Sequence, residues 1–167
     1  MNIKGVPESV RNQASDFLIE TIGYLRDGGS FDFVAEVIDG LDYTKTENSK
    51  FLDYLCFDIL LTARDRLRWC FPDGVDAARL NRFVSVTGQE VWEMCGVGPE
   101  DMYSIAAGLV DPERSHHGGE QYLIPGALAL VAVLSPVDDE GLREDRDSVK
   151  ERYVTDDRNG AWDDDDH

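Results

Sequence analysis

Apolar side chains recur every three to four residues along most of the first 136 positions, the spacing of one face of an α-helix. In the first segment of this kind, residues 7–29, Gly28 and Gly29 end the pattern and Ser30 is placed to cap the next helix. Neither an internal repeat nor an alternating hairpin pattern is present. The chain therefore predicts an all-α fold, a single-domain bundle of roughly six helices. The apolar face of its first helix is formed by Val10, Ala14, Phe17, Leu18, Ile22 and Leu25.

The segment from Phe31 to Leu41 carries two kinds of side chain on different faces. Asp32, Glu36 and Asp39 are spaced by four and three residues, so on a helix they form an acidic stripe. We expect this stripe to be available to a basic partner. The opposite side is predicted to be buried, and it consists of Phe31, Val34, Val37, Ile38 and Leu41.

The longest predicted helix runs to about Phe71, and the capping-box spacing of Thr44 and Glu47 predicts its start. A turn at 71–74 and a further helix from Asp76 follow. The long helix is expected to be central and packed on two sides, because its apolar residues occupy more than one face: Phe51, Leu52, Leu55, Cys56, Phe57, Ile59, Leu60 and Leu61.

The last apolar segment, Pro125 to Leu134, is apolar on all sides and is predicted to be a helix buried in the centre. Its β-branched residues leave a strand open as the alternative. The 13-residue apolar run that contains it is too short to span a bilayer. The N-terminus lacks the basic head and apolar core of a signal peptide. We therefore expect a cytoplasmic protein without membrane spans.

Charge divides the chain into two predicted parts. The sequence has 34 acidic and 16 basic residues, a net charge of −18, and its last 30 residues contain 13 acids and 5 bases with few apolar side chains. We predict a helical domain over 1–136 and an acidic, weakly ordered tail over 137–167. The excess of Asp and Glu over scarce Lys resembles the composition of halophile proteins, whose carboxylates hold water and cations while high salt screens their repulsion.

Residues 87–110 resemble a helix-turn-helix unit. Residues 87–90 have capping-box spacing, Gly96 takes the place of the turn glycine, and a second helix is predicted from Pro99. Met102 and Ile105 would form the inward face of that helix. The resemblance implies a nucleic-acid-binding regulator as an alternative function.

The same segment departs from the helix-turn-helix pattern in three ways. Trp92 stands where a small residue lets the two helices approach. Glu100 and Asp101 lie where the recognition helix would meet phosphates. No Lys or Arg occurs between Phe83 and Val110. Since phosphate neutralisation dominates nucleic-acid affinity, we do not expect nucleic acid to be the partner.

Five arginines fall within 19 residues and make the window 62–84 the one net-positive stretch of the chain. One interpretation is that they meet helix C-termini and the acids of neighbouring helices. The other is a binding site for an acidic partner, because guanidinium groups suit carboxylate and phosphate. The candidates for this second role are Arg64, Arg68, Arg79 and Arg82, with Arg66 beside them.

The candidate metal ligands are the adjacent residues His116 and His117, together with Glu120 three residues later. Adjacent residues point in different directions on regular backbone, so these histidines converge only in a loop, which Gly118 and Gly119 permit. A catalytic site normally has three protein ligands. A metal-dependent hydrolase that uses this loop or paired helix carboxylates is therefore a second alternative.

Neither a nucleophile with its base nor a nucleotide-binding loop can be assembled from the sequence, so we predict a protein without cofactors or enzymatic activity. Cys56, Cys70 and Cys95 lie far apart without a C-x-x-C motif, which indicates neither a zinc site nor a disulfide framework. The predicted function is that of a protein-interaction or regulatory module. Its partner is expected to be another protein, with a basic surface that contacts the acidic stripe. Self-association through an apolar helix is a further possibility.

Overall fold

The computed structural model describes residues 5–83, 96–111 and 123–135, together with 140, 141, 143, 144 and 147. Within these residues the chain is helical and contains no strand, which confirms the predicted all-α fold and rules out the strand alternative for the last apolar segment. The described residues form six helices: α1 (Glu8–Arg26), α2 (Phe31–Asp39), α3 (Thr46–Cys70), α4 (Ala77–Phe83), α5 (Pro99–Val110) and α6 (Leu123–Leu134).

The helix α3 is the centre of the bundle and packs against α1, α5 and α6. It buries side chains on several faces, among them Leu55, Ile59 and Leu67, as the sequence predicts for a helix packed on two sides. The helix α6 is buried from Gly126 to Ala132. A Cβ atom at Gly126 would lie 2.7 Å from Ile105 Cδ1, so the Ile105 side chain packs into the space that this glycine leaves on α6.

The connections around α1, α2 and α3 follow the predicted turn chemistry. Gly28 ends α1 with a φ of +89°, and the Ser30 hydroxyl accepts a hydrogen bond from the Phe33 amide at the start of α2. After α3, the Gly74 amide donates to the Phe71 carbonyl over 3.1 Å, which closes the predicted turn. These turns set the direction in which each following helix leaves.

The capping box predicted at Thr44 and Glu47 is wrong. The helix α3 begins at Thr46 with Lys45 as its N-cap, and no side-chain hydrogen bond caps it. The carboxylate of Asp42 instead accepts from both the backbone amide and the hydroxyl of Thr44, over 3.0 and 2.6 Å. A short acidic side chain two residues upstream thus holds Thr44 in a local turn.

The prediction for the apolar side of α2 needs correction as well. Val34 is buried, and Phe31, Ile38 and Leu41 are half-buried. Val37, which was expected to be buried, is 39% exposed. A helix of nine residues that rests on the bundle along one narrow stripe cannot cover a side chain at the edge of that stripe.

A few residues of the predicted acidic tail are described. Positions 140, 141, 143, 144 and 147 are helical, and Arg143 Nη1 lies 3.0 Å from Asp16 Oδ1 on α1. Both side chains are exposed, so this ion pair contributes little to stability. The remaining tail lies outside the described residues, and the boundary at 136 stays a prediction. None of the described helices combines the length and apolarity needed to cross a membrane.

Candidate functional site

An apolar groove lies between α1 and α2. The helix α1 contributes one wall and α2 the other, and the groove has a volume of about 170 Å³. Three side chains of its lining are open to solvent, since Phe33 is 53% exposed and Tyr24 and Val37 are each 39% exposed. Apolar side chains that are exposed next to one another indicate an interaction site, whereas apolar side chains exposed singly are common on any protein surface. The groove is lined by Phe17, Glu20, Thr21, Tyr24, Phe33, Val34 and Val37.

Aromatic contacts fix the shape of the groove. The rings of Tyr24 and Phe33 pack with their centroids 5.7 Å apart, and the Tyr24 hydroxyl accepts from the Ser30 amide over 3.0 Å. Phe17 packs edge-to-face on Phe51 of α3, also at 5.7 Å. A Cβ atom at Gly29 would lie 2.4 Å from Tyr24 Cε1, so the ring occupies its position only because residue 29 has no side chain.

One carboxylate lines the groove on α1, and the acidic stripe lies outside the groove on the solvent side of α2. Glu20 lines it from α1 and is exposed. On α2, where successive residues turn by about 100°, Glu36 lies about 60° around the helix from Phe33. The only basic residues between positions 8 and 42 are Arg11 and Arg26. Acidic residues thus outnumber basic ones along α1 and α2, although Arg143 pairs with Asp16 one turn from Glu20.

The structure brings the predicted acidic stripe together as one exposed surface, with Asp32, Glu36 and Asp39 all on the solvent side of α2. Its far end influences a neighbouring tyrosine. Partial burial of the ring raises the pKa of Tyr43, and the negative charge of Asp39 raises it further. The Tyr43 hydroxyl donates to the Ile38 carbonyl over 2.5 Å, which ties the loop after α2 to the end of that helix.

Three arginines of the predicted cluster donate hydrogen bonds to the last carbonyl groups of helices. Arg66 donates through Nε and Nη2 to the carbonyl of Leu134, the last residue of α6, over 3.1 and 2.9 Å. Arg68 reaches the last carbonyl of α5 at Val110 over 3.4 Å, and Arg79 reaches that of α3 at Cys70 over 3.5 Å. These contacts support the interpretation in which the arginines complement helix dipoles.

The four candidate arginines do not share one accessible surface. Arg64 is only 6% exposed, whereas Arg68, Arg79 and Arg82 are exposed. Arg79 also lies over the Phe71 ring, with its guanidinium carbon 5.2 Å from the ring centroid. A site that requires all four side chains together at the surface is therefore not formed.

Sequence reasoning missed Arg26, which has the same role as Arg66. It donates from Nε to the Ala132 carbonyl over 2.7 Å and from Nη2 to the Ser135 carbonyl. Burial lowers the pKa of Arg26, and the nearby positive charge of Arg66 lowers it further. The one sequence signal was a basic residue in the last turn of α1. Nothing in the sequence indicated that it would reach α6, more than one hundred residues away.

The described cysteines are not activated nucleophiles. Burial raises the pKa of the Cys56 thiol to about 11, and the carboxylate of Asp53 adds to the shift. Burial also raises the pKa of Cys70, although Arg66 and Arg79 oppose this. Both thiols are protonated at neutral pH and react slowly in that form.

Several predicted features fall partly or wholly outside the described residues. His116, His117 and Glu120 lie outside them, and so do residues 87–95 of the segment 87–110. In the described remainder of that segment, α5 begins at Pro99 and buries Met102 and Ile105, as predicted for the second helix. Among the residues that the structure describes, no three His, Cys, Asp or Glu side chains are placed to hold a metal ion.

The chain matches no protein-family model, and no curated protein or solved structure is significantly similar to it. The class that the fold defines is an all-helical bundle organised around α3. The surface features of this bundle that could bind a ligand or partner are the α1–α2 groove and the acidic stripe beside it.

Proposed function

We propose that this protein is a non-enzymatic interaction module that binds a basic protein partner through the acidic stripe of α2. The observation that carries the proposal is the exposure of Asp32, Glu36 and Asp39 on one face of a short helix, next to the exposed ring of Phe33. No basic residue lies within α2 itself, and Arg26 at the end of α1 is directed into the bundle toward α6.

The charge of the stripe favours fast and selective encounter with a positively charged surface. Complementary potentials raise association rates and disfavour partners of like charge, while contributing less to affinity itself. Exposed charges more than about 10 Å apart are largely screened at 0.1 M salt. Binding by this surface should therefore weaken as the KCl concentration rises.

The test uses affinity capture of basic proteins from a lysate at 50 and 300 mM KCl, with wild-type protein and the variant Asp32→Asn/Glu36→Gln/Asp39→Asn. The matched control, Glu47→Gln/Asp73→Asn/Asp101→Asn, also removes three exposed carboxylates, none of which is on α2. We expect wild type and control to capture the same basic proteins in a salt-sensitive manner and the stripe variant to lose them. Equal capture by all three proteins would refute the acidic-stripe proposal.

A further inference from the structure

We infer that the α1–α2 groove receives one large apolar side chain from a basic amphipathic helix of the partner. This inference rests on the proposed function for the charge of the partner, and it adds the anchor and the secondary structure. The juxtaposition behind it is an open apolar groove lined by the exposed carboxylate of Glu20 on α1, with the acidic stripe on the solvent side of α2 next to Phe33.

The volume of the groove matches that of a single apolar side chain. Pockets for cofactors and drug-sized ligands usually measure roughly 300–1,000 Å³. The groove measures about 170 Å³, close to the apolar cavity of about 150 Å³ that holds a benzene molecule. It therefore suits a single phenylalanine, leucine or isoleucine side chain, and it is too small for a nucleotide or a flavin.

The chemistry of the walls agrees with a side-chain anchor. Aromatic rings and Val34 form most of the lining, while Thr21 already donates its hydroxyl to the Phe17 carbonyl over 2.7 Å. The Tyr24 oxygen likewise accepts a hydrogen bond from the Ser30 amide within the protein. A group that enters the groove meets apolar surface inside and negative charge at the edges.

The two carboxylates specify the neighbours of the anchor. Glu20 lines the groove from α1, and Glu36 lies beyond Phe33 on the solvent side of α2, so a bound segment with positive side chains on both sides of its apolar residue would complement both carboxylates. An amphipathic helix provides this arrangement when apolar residues recur every three to four positions and basic residues lie on either side. Helix-in-groove recognition also fits a site between two helices. The described residues offer no strand edge that could pair with an extended peptide.

The wall on α1 is arranged before any partner arrives. The hydrogen bond from Ser30 and the lack of a side chain at Gly29 hold the Tyr24 ring against Phe33. A preformed wall lowers the ordering cost of binding. The wall on α2 is less firmly held, since Val34 is its one buried residue. We expect α2 to adjust to the incoming side chain while α1 stays in place.

Three fluorescein-labelled 16-residue peptides test the inference by fluorescence anisotropy. One places leucine and lysine on opposite faces of a helix. The second replaces its leucines by serine, and the third replaces its lysines by glutamate. The groove variant is Phe33→Ser/Val37→Ser, and the control is Trp69→Ser, which removes an apolar side chain that is 73% exposed on α3. Circular dichroism verifies that every variant keeps its helices.

We expect the leucine/lysine peptide to bind wild type and the control at least about tenfold more tightly than either other peptide, a ratio of about 1.4 kcal/mol. The groove variant should lose about the same factor. Glu36→Gln should weaken binding more than Asp39→Asn does, because Asp39 lies farther around α2 from the groove. Methyl NMR signals of Val34 and Val37 should shift when the peptide is added to wild type, which tests the groove without any substitution.

Other results would overturn the inference in distinguishable ways. If the serine/lysine peptide binds as tightly as the leucine/lysine peptide, or the groove variant binds like wild type, the groove is not an anchor and the acidic-stripe proposal stands. If the leucine/glutamate peptide binds as tightly as the leucine/lysine peptide, the charge requirement fails and the proposed function fails with it. If neither lysine peptide binds, both proposals are wrong.

Discussion

The helices α6 and α2 are both rich in large apolar residues, yet the bundle treats them differently. From Gly126 to Ala132, α6 is buried on every side, while α2 buries Val34 alone and leaves Phe33 53% exposed. The difference follows from the number of neighbours, because α6 packs against α1, α3 and α5 together. Apolar composition therefore shows that a helix has surface to cover, and the topology decides whether the protein itself covers it.

The comparison also separates what stabilises this protein from what is available for binding. Side chains of α6 exclude water from the centre of the bundle, so the fold depends on them. The exposed side chains of α2 gain little from folding, since water still reaches them. Substitutions in the two helices should therefore affect the free energy of unfolding and partner binding separately.

Leu130→Ala and Val37→Ala test this separation with the largest expected effect. Leu130 is fully buried in α6, so its truncation should lower the free energy of unfolding by about 2–5 kcal/mol. Val37→Ala should change it by less than about 0.5 kcal/mol, as is typical of surface positions. Urea denaturation followed by circular dichroism measures both. Similar losses for the two variants would mean that α2 is as much a part of the core as α6.

The next prediction concerns the capped end of α6. Arg66→Met keeps an apolar stem and removes both donors to the Leu134 carbonyl, so it should cost about 1.5–3 kcal/mol, the range for hydrogen bonds to charged groups. Arg82→Met on the exposed side of α4 is the control and should fall within about 0.5 kcal/mol of wild type. Equal midpoints for both variants in urea would show that the contact does not stabilise α6.

A pair of glycine substitutions sharpens the comparison at the groove. Gly29→Ala places a Cβ atom against the Tyr24 ring and should lower stability by about 1 kcal/mol or more, since the ring must move. Gly23→Ala, in the last turn of α1 with open space around the new Cβ atom, should raise stability by about 0.4–1 kcal/mol. Thermal unfolding reports both signs. A rise in melting temperature for Gly29→Ala would mean that Gly29 is not needed to seat the Tyr24 ring.

Local spacing predicted most of the fold. The apolar period located α1, α3 and α6, and the glycine and proline signals located the turns at 28–30 and 71–74. The two wrong predictions, the cap of α3 and the burial of Val37, have local causes that the spacing of apolar residues does not reveal. Thr44 donates its hydroxyl to the Asp42 carboxylate and does not cap α3 as expected. Because α2 is short, it leaves Val37 exposed.

Much less of the candidate site could be predicted. The acidic stripe follows from helical spacing, but the groove depends on how α1 and α2 meet, and that contact is fixed by Tyr24, Gly29 and Phe33. The arginine contacts are also tertiary, because each joins a side chain to the end of another element. The halophile-like composition and the metal loop at His116, His117 and Glu120 stay predictions.

The smallest predicted effect tests whether the negative charge of the acidic stripe changes the pKa of a neighbouring side chain. Asp39 raises the pKa of Tyr43, after the larger effect of partial burial, because a nearby negative charge disfavours the tyrosinate. Asp39→Asn should therefore lower the pKa of Tyr43, and the tyrosinate should form at a lower pH than in wild type. Absorbance at the tyrosinate band, recorded against pH with Tyr43→Phe as the reference, isolates this residue. Asp32→Asn, which lies at the other end of α2, should leave the titration of Tyr43 nearly unchanged. An unchanged titration in Asp39→Asn would mean that solvent screens the stripe even over this short distance, and the salt dependence expected for partner binding would then lose its basis.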